Sequence, residues 1–200
     1  MTNTHKKSIN LMSVKMLSKI LEDGHATLLV GRAGIGKTTT ALLASQDVAK
    51  MGKKVLYISL EIDKHNMEEH IAKTYGATAL KNIVVVDSIE WNEKAALAFV
   101  EKVGATTDNL GLVVIDYMQL FNTEPGVMEK LDEMANKLKC PILTLAQIPG
   151  PRDPLGNKKP LRKDVDSNLL KGAARVIGLY RQSFYTTNRN FVDDMEFLPL

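Results

Sequence analysis

One glycine-rich segment has the residue types and spacing of a phosphate-binding loop. Residues 31–38 have the sequence GRAGIGKT, which matches G-x-x-x-x-G-K-[ST] between an apolar run and a helical pattern. In such a loop, backbone N–H groups surround phosphates, Lys37 reaches the β and γ oxygens, and the Thr38 hydroxyl is a ligand for Mg²⁺. The expected nucleotide-binding residues of this segment are Gly31, Arg32, Ala33, Gly34, Ile35, Gly36, Lys37, Thr38 and Thr39.

Three further polar residues each end an apolar run. Asp116 follows LVVI and is expected to join Thr38 in holding Mg²⁺, although such an aspartate can also simply cap the next segment. Glu61 ends VLYISLE and is a candidate to take a proton from, or orient, an attacking water; a solvated acid near a helix start is the alternative. Gln147 is a candidate to bond the γ-phosphate or that water, and its alternative role is a local turn bond.

These candidates lie between elements that alternate regularly along the chain. Short apolar runs alternate with longer amphipathic segments from residue 26 onward, which is typical of buried parallel strands with crossover helices. The pattern predicts an α/β fold with a mostly parallel sheet, and ligands then bind at the carboxyl ends of the strands. The predicted strands are residues 27–30, 55–59, 83–87, 112–116, 142–146 and 176–180, and the predicted helices are residues 38–50, 64–74, 92–103 and 127–139.

Residues that are typical of helix caps support the predicted helix ends. Asp63 and Asn92 are expected N-caps, while Gly52, Gly76 and Gly104 occupy positions suited to a left-handed residue that ends a helix.

Two segments interrupt the alternation. Residues 149–163 contain four prolines and two glycines, which predicts a long loop. Residues 8–22 precede the first strand and predict a helix that docks on the body or on another subunit. Its apolar positions at helical spacing are Ile9, Met12, Met16 and Ile20.

Composition limits the classes of protein. The 200 residues are 44% hydrophobic and 24% charged, the balance of a globular domain, so disorder and collagen-like repeats are excluded. Cys140 is the single cysteine and cannot close an internal disulfide, which favours a reducing cytoplasm. No apolar run approaches the roughly 20 residues of a membrane span, and we expect no membrane association. The net charge of +3 permits a polyanionic partner without implying one.

Several motifs together identify a family. The sequence lacks the N/T-K-x-D motif with which GTPases recognise the guanine base, which argues against a GTPase. A small-molecule kinase is still an alternative function. The strings VLYISLE, LVVIDYMQL, PILTLAQ and RVIGLYR, in this order and spacing, resemble the RecA-like ATPase domain of DnaB-type replicative helicases. The resemblance covers about residues 20–185, and IDYMQL is its most specific part.

The resemblance implies ATP and Mg²⁺ as cofactors and assigns roles to the candidates. Lys37 and Thr38 bind Mg-ATP, Glu61 is the catalytic carboxylate, Asp116 is the Walker B acid, and Gln147 links the phosphate state to the following loop.

The family also forms six-membered rings around single-stranded DNA, and a loop after the Gln147 strand lines the channel. The resemblance therefore implies a homo-oligomer, single-stranded DNA and replication proteins as partners. A solvated basic loop without a ligand is the alternative. The basic residues at the loop position are Arg152, Lys158, Lys159, Arg162 and Lys163.

The likeness predicts two parts of the chain. Residues 1–24 are expected to be an N-terminal extension or linker helix, and residues 25–200 a RecA-like ATPase domain. Its C-terminal part is expected to be missing, because the family places its arginine finger on a later strand. The predicted function is an ATP-hydrolysing helicase motor in DNA replication; an ATP-binding switch or assembly factor that does not translocate is the alternative.

Overall fold

The computed structural model describes Leu17, Leu21 and residues 24–87, 93–116, 125–150, 158–185 and 195–200. Strands and helices alternate along these ranges, as the sequence pattern predicts. The strands are β1 (Ala26–Gly31), β2 (Lys54–Ser59), β3 (Ile83–Asp87), β4 (Leu110–Asp116), β5 (Ile142–Gln147), β6 (Arg175–Arg181) and β7 (Met195–Pro199). The helices are α1 (Lys37–Lys50), α2 (Lys64–Tyr75), α3 (Glu93–Thr106), α4 (Val127–Leu138) and the short α5 (Ser167–Leu170). Short 3₁₀ segments add Ala77–Lys81, Arg162–Asp164 and Gln182–Phe184.

The seven strands form one sheet in the order β3-β2-β4-β5-β1-β6-β7. All neighbouring pairs are parallel except β6 and β7, which are antiparallel. The register places Gly31 beside Gln147 and Ser59 beside Asp116. The carboxyl ends of four central strands therefore meet at one edge of the sheet, and this confirms the predicted parallel α/β class.

Helices cover both faces of the sheet. Successive side chains of a strand point to opposite faces, and both faces of these strands are apolar and need to be covered. In β1, Leu29 packs in one apolar core, while Leu28 and Val30 pack in the other. We call the Leu29 side the first core, which also contains buried residues of α1 and α2. The second core contains buried residues of α3 and α4. Each fully buried leucine of this kind contributes about 1.5 to 3 kcal/mol to the free energy of unfolding.

The predicted helix ends that lie within the described residues agree with the structure except at one glycine. The Asp63 side chain accepts a hydrogen bond from the Asn66 backbone N–H at 2.9 Å, which confirms it as the N-cap of α2. Gly104 was expected to end a helix, but α3 continues through it to Thr106. A Cβ at Gly104 would lie 2.6 Å from Leu138 Cδ1, so this glycine allows α3 and α4 to approach closely. The predicted N-cap Asn92 lies outside the described residues.

Leucines of the predicted N-terminal helix are buried in the first core. Leu17 and Leu21, which are four residues apart, are 0% and 2% exposed there. The four positions singled out from the sequence, Ile9, Met12, Met16 and Ile20, lie outside the described residues.

The described part of the proline-rich segment is a loop up to residue 161. Residues 149–150 and 158–161 form no helix or strand, and a 3₁₀ turn, Arg162–Asp164, follows them. Residues 151–157, which include Arg152, lie outside the described residues, as do residues 117–120 of the IDYMQL string. Within the described ranges, every helix is too short or too polar to cross a bilayer.

Candidate nucleotide-binding site

The glycine-rich loop connects the end of β1 to the start of α1. Gly34 and Gly36 have φ angles of 71° and 108°, a region of backbone conformation that favours glycine. Gly36 is also the N-cap of α1, and no side chain caps this end or adds an acid to its first turn. The N-terminal N–H groups and the positive end of the helix dipole therefore suit an anionic ligand.

A cleft of about 280 Å³ lies at this loop. It gathers the predicted cation, hydroxyl, carboxylates and amide from four different strand ends. Three residues of the predicted loop set are not among those that line it: Gly31, Arg32 and Ile35. The lining residues are Ala33, Gly34, Gly36, Lys37, Thr38, Thr39, Glu61, Asp116 and Gln147.

The three loop residues outside the lining support the loop in other ways. Ile35 is fully buried in the first core, and its Cγ2 lies 2.8 Å from the position of a Cβ at Gly31. A larger residue at Gly31 would therefore displace the isoleucine that anchors the loop. Arg32 is 6% exposed, and its Nε and Nη1 atoms have no hydrogen-bond partner among the described residues. Its backbone carbonyl accepts a hydrogen bond from Lys37 Nζ.

Lys37 is held by backbone carbonyls rather than by a carboxylate. Its Nζ donates to the carbonyl oxygens of Gly31 at 3.1 Å and Arg32 at 3.2 Å. Burial lowers the pKa of Lys37, while the charges of Asp116 and Glu61 oppose that shift. Because an ammonium group has three N–H donors, this arrangement leaves one donor and the positive charge for an anion in the cleft.

Asp116 is buried at the end of β4, and a donor from β2 bonds its carboxylate. It is 3% exposed, and its Oδ2 accepts a hydrogen bond from the Tyr57 hydroxyl at 2.8 Å. Burial raises the pKa of Asp116, while the Tyr57 hydrogen bond, the nearby Thr38 hydroxyl and the charge of Lys37 lower it. The sequence reasoning missed Tyr57; its signal was an aromatic hydroxyl in the middle of an aliphatic run.

Glu61 and Gln147 reach the cleft from exposed positions. Glu61 lies two residues after the end of β2, where the Leu60 N–H donates to the Asp116 carbonyl at 2.7 Å. This bond keeps the segment after β2 beside the end of β4, so both carboxylates line one cleft. Gln147 is the last residue of β5 and lies beside Gly31 in the register.

Basic residues predicted to contact DNA lie outside the cleft lining. Lys158 Nζ and Lys159 Nζ are each 5.3 Å from the ring centroid of a tyrosine, Tyr185 and Tyr180 respectively. Lys159 also forms an ion pair with Glu196 of β7 at 2.5 Å. These lysines therefore pack on the β6 and β7 side of the sheet.

The other two described basic residues differ from each other. Arg162 Nη1 donates to the Leu200 backbone carbonyl at 2.8 Å, whereas Lys163 is exposed. We call Lys158, Lys159, Arg162 and Lys163 the basic surface.

Sequence comparison assigns the chain to a family. Residues 66–197 match the model of the DnaB-like helicase C-terminal domain, which is well over half of the chain. The chain belongs to the DnaB-like helicase C-terminal domain family. Asp116, Gln147 and the basic surface lie inside the matched range, while the glycine-rich loop and Glu61 precede it.

Individual relatives agree with this membership. The chain is 25% identical to a probable plasmid replicative DNA helicase of Chlamydia psittaci, over 87% of the chain and 46% of that relative. The chain thus spans about half the length of the curated relatives it matches.

Solved structures of the DnaB-like family have the same fold. One solved ATPase domain superposes with a TM-score of 0.70 at 18% identity, covering 90% of this chain and 81% of that one. A DnaB-like replicative helicase, described with its interactions with primase, gives 0.67 at 18% identity, over 90% and 55% of the two chains. These likenesses confirm the predicted RecA-like class.

The donor set of this DnaB-like domain fits a magnesium ion that arrives with a nucleotide. Within the described residues, no group of three or more His, Cys, Asp or Glu side chains could hold a metal. The cleft instead offers Thr38 and Asp116, and Mg²⁺ is commonly bound by one or two protein oxygens together with substrate phosphates and water.

Proposed function

We propose that this chain is the ATP-hydrolysing motor domain of a DnaB-type replicative helicase that acts on single-stranded DNA. The observation that carries the proposal is the cleft, where Lys37, Thr38, Glu61, Asp116 and Gln147 meet in a member of this family. A phosphate-binding cation, a magnesium ligand pair and a carboxylate for water are the parts that phosphoryl transfer to water requires.

In this proposal each residue of the cleft has one task. Lys37 and the N–H groups at the start of α1 bind the phosphates, and Thr38 with Asp116 would hold Mg²⁺. Bound Mg²⁺ neutralises the negative charge of the phosphate oxygens. The Glu61 carboxylate orients a water molecule and accepts its proton at a carboxylate oxygen. The amide of Gln147 bonds the γ-phosphate or that water, so that the loop after β5 responds to the nucleotide.

The proposed assembly is a ring of identical subunits around DNA in the cytoplasm, with replication proteins as partners. The basic surface contributes contacts to DNA phosphates, because Lys and Arg supply the sequence-independent part of nucleic-acid affinity. Arg152 is proposed as a further contact of this kind.

A second candidate function rests on the bonds of the basic surface. Lys159 is paired with the Glu196 carboxylate. A cation that is neutralised by a carboxylate within the chain attracts DNA less strongly, which favours an ATP-binding switch or assembly factor that does not translocate.

DNA-stimulated ATP hydrolysis separates these two functions. We expect Mg²⁺-dependent release of phosphate from ATP, with a rate that rises when oligo-dT is added. Glu61→Gln should bind a fluorescent ATP analogue normally and lose both basal and stimulated release. Tight ATP binding with slow turnover that oligo-dT does not change would support the switch, and the absence of ATP binding would exclude both functions.

A further inference from the structure

Tyr57 is a buried polar residue that the proposed mechanism does not use. It lies in the middle of β2, is fully buried, and packs in the first core among aliphatic side chains. Its hydroxyl donates to Asp116 Oδ2 at 2.8 Å. The register places Tyr57 beside Val114, two residues before Asp116 on the neighbouring strand, so the ring and the carboxylate lie on the same face of the sheet.

This contact fixes a group that has few other constraints. Asp116 is the last residue of β4 and faces the cleft, where its carboxylate can rotate about the terminal bond. The tyrosine ring, in contrast, is held on all sides by the core, so its hydroxyl is a rigid donor. One carboxylate oxygen is therefore placed by a donor from β2.

Burial makes this donor more important. The Asp116 carboxylate is 3% exposed, and a buried anion requires hydrogen bonds that replace those of water. In metal sites, groups that hydrogen-bond a ligand from behind set its orientation and affect metal affinity nearly as strongly as the ligand itself.

We propose that Tyr57 is a positioning residue that orients the Asp116 carboxylate for Mg²⁺-dependent nucleotide binding. The inference rests on the proposed function, since it assigns to Asp116 the role of a magnesium ligand. It adds a residue on β2, outside the glycine-rich loop and the strand ends, to the machinery of the cleft.

The test is the Tyr57→Phe variant, which keeps the buried ring and removes one oxygen atom. Titration of Mg²⁺ into the protein with fluorescently labelled ADP gives the Mg²⁺ concentration at half-maximal binding. We expect that concentration to rise about tenfold, the lower end of the effect of removing a second-sphere partner. The affinity for the labelled ADP without Mg²⁺ should stay unchanged, because Tyr57 does not line the cleft.

Tyr75→Phe is the matched control. Tyr75 packs at the edge of the same core, and its hydroxyl is not among the groups that hydrogen-bond Asp116 in the described part of the chain. It should keep the wild-type Mg²⁺ requirement, and thermal unfolding of both variants reports any change of the core itself.

The possible outcomes separate the two levels of the proposal. A wild-type protein whose ADP binding does not respond to Mg²⁺ would contradict the proposed function. A Mg²⁺-responsive wild type with an unchanged Tyr57→Phe requirement would overturn only the positioning role. Weaker ADP binding by Tyr57→Phe in the absence of Mg²⁺, or loss of its folded state, would also overturn that role, because the hydroxyl would then act through the fold.

Discussion

The charged side chains of the nucleotide cleft and those of the basic surface have different kinds of partner. In the cleft, Lys37 is held by two neutral carbonyls, and its charge stays available for a ligand. On the basic surface, Lys159 is instead neutralised by the Glu196 carboxylate of β7. A charge that is positioned by neutral groups is ready to bind, whereas a paired charge must first exchange its partner. We therefore expect substitutions in the cleft to have large effects and those on the surface to have graded ones.

The largest effect is expected at Glu61. Glu61→Gln should leave ATP binding intact and lower the hydrolysis rate by about 10² or more, because the amide cannot accept a proton from water. Single-turnover release of phosphate from ATP measures this rate. Glu133→Gln, at an exposed position of α4, is the control. Turnover of Glu61→Gln close to the wild-type rate would remove the catalytic role of Glu61.

Lys37→Ala tests the proposed contact between the Lys37 ammonium group and the nucleotide phosphates. The variant loses one charge-assisted contact to phosphate, worth about 1.5 to 3 kcal/mol, so affinity for Mg-ATP should fall by roughly 10- to 150-fold. Titration with a fluorescent ATP analogue gives the dissociation constant, and Lys50→Ala at the other end of α1 serves as the control. A folded Lys37→Ala protein with wild-type affinity and hydrolysis would contradict the phosphate role of the glycine-rich loop.

The members of the basic surface should differ in their contribution to DNA binding. Replacing Lys158 and Lys163 by alanine should weaken binding of oligo-dT and flatten the plot of log affinity against log salt by up to about 0.7 per lost contact. Lys159→Ala should flatten it less, because Glu196 already neutralises that lysine. Titrations at several salt concentrations supply the slopes. Equal slopes for wild type and the double variant would indicate that these lysines are solvated loop residues that do not contact DNA.

The smallest effect concerns the pair of Lys159 and Glu196. Both side chains are less than half exposed, at 42% and 43%, and pairs of such exposure contribute about 1 kcal/mol or less to the free energy of unfolding. Glu196→Gln should therefore change urea unfolding only slightly, yet it should steepen the salt dependence of oligo-dT binding by releasing Lys159. A large loss of stability with no change of slope would show that the pair serves the fold alone.

The sequence predicted the cleft well because its residues follow local rules. The glycine-rich loop, and Asp116 and Gln147 at their strand ends, depend on neighbours along the chain and on the parallel direction of the strands. Tyr57 could not be predicted in the same way, since its role depends on the register between β2 and β4. The pattern of residues along one strand does not determine which of them will lie next to the last residue of the neighbouring strand.

Long-range packing also explains the other differences. A glycine such as Gly104 is typical of a helix end. Here the glycine instead makes room for Leu138 of the neighbouring helix α4. The basic surface was predicted from charge alone, and charge does not reveal that Lys159 has an acid on β7 as its partner. Helical spacing singled out Ile9, Met12, Met16 and Ile20, whereas Leu17 and Leu21 of the same segment are buried in the first core.

The burial of Leu17 and Leu21 determines which shorter fragments of this protein can fold. A fragment that starts at residue 25 would keep every described strand and the whole cleft, but it would expose apolar side chains of the first core that these leucines cover. Loss of two buried leucines is worth several kcal/mol, comparable to the total stability of many domains. Such a fragment would aggregate or melt at low temperature, and its inactivity would say nothing about catalysis. The smallest independently folding unit therefore includes these leucines, upstream of the first strand.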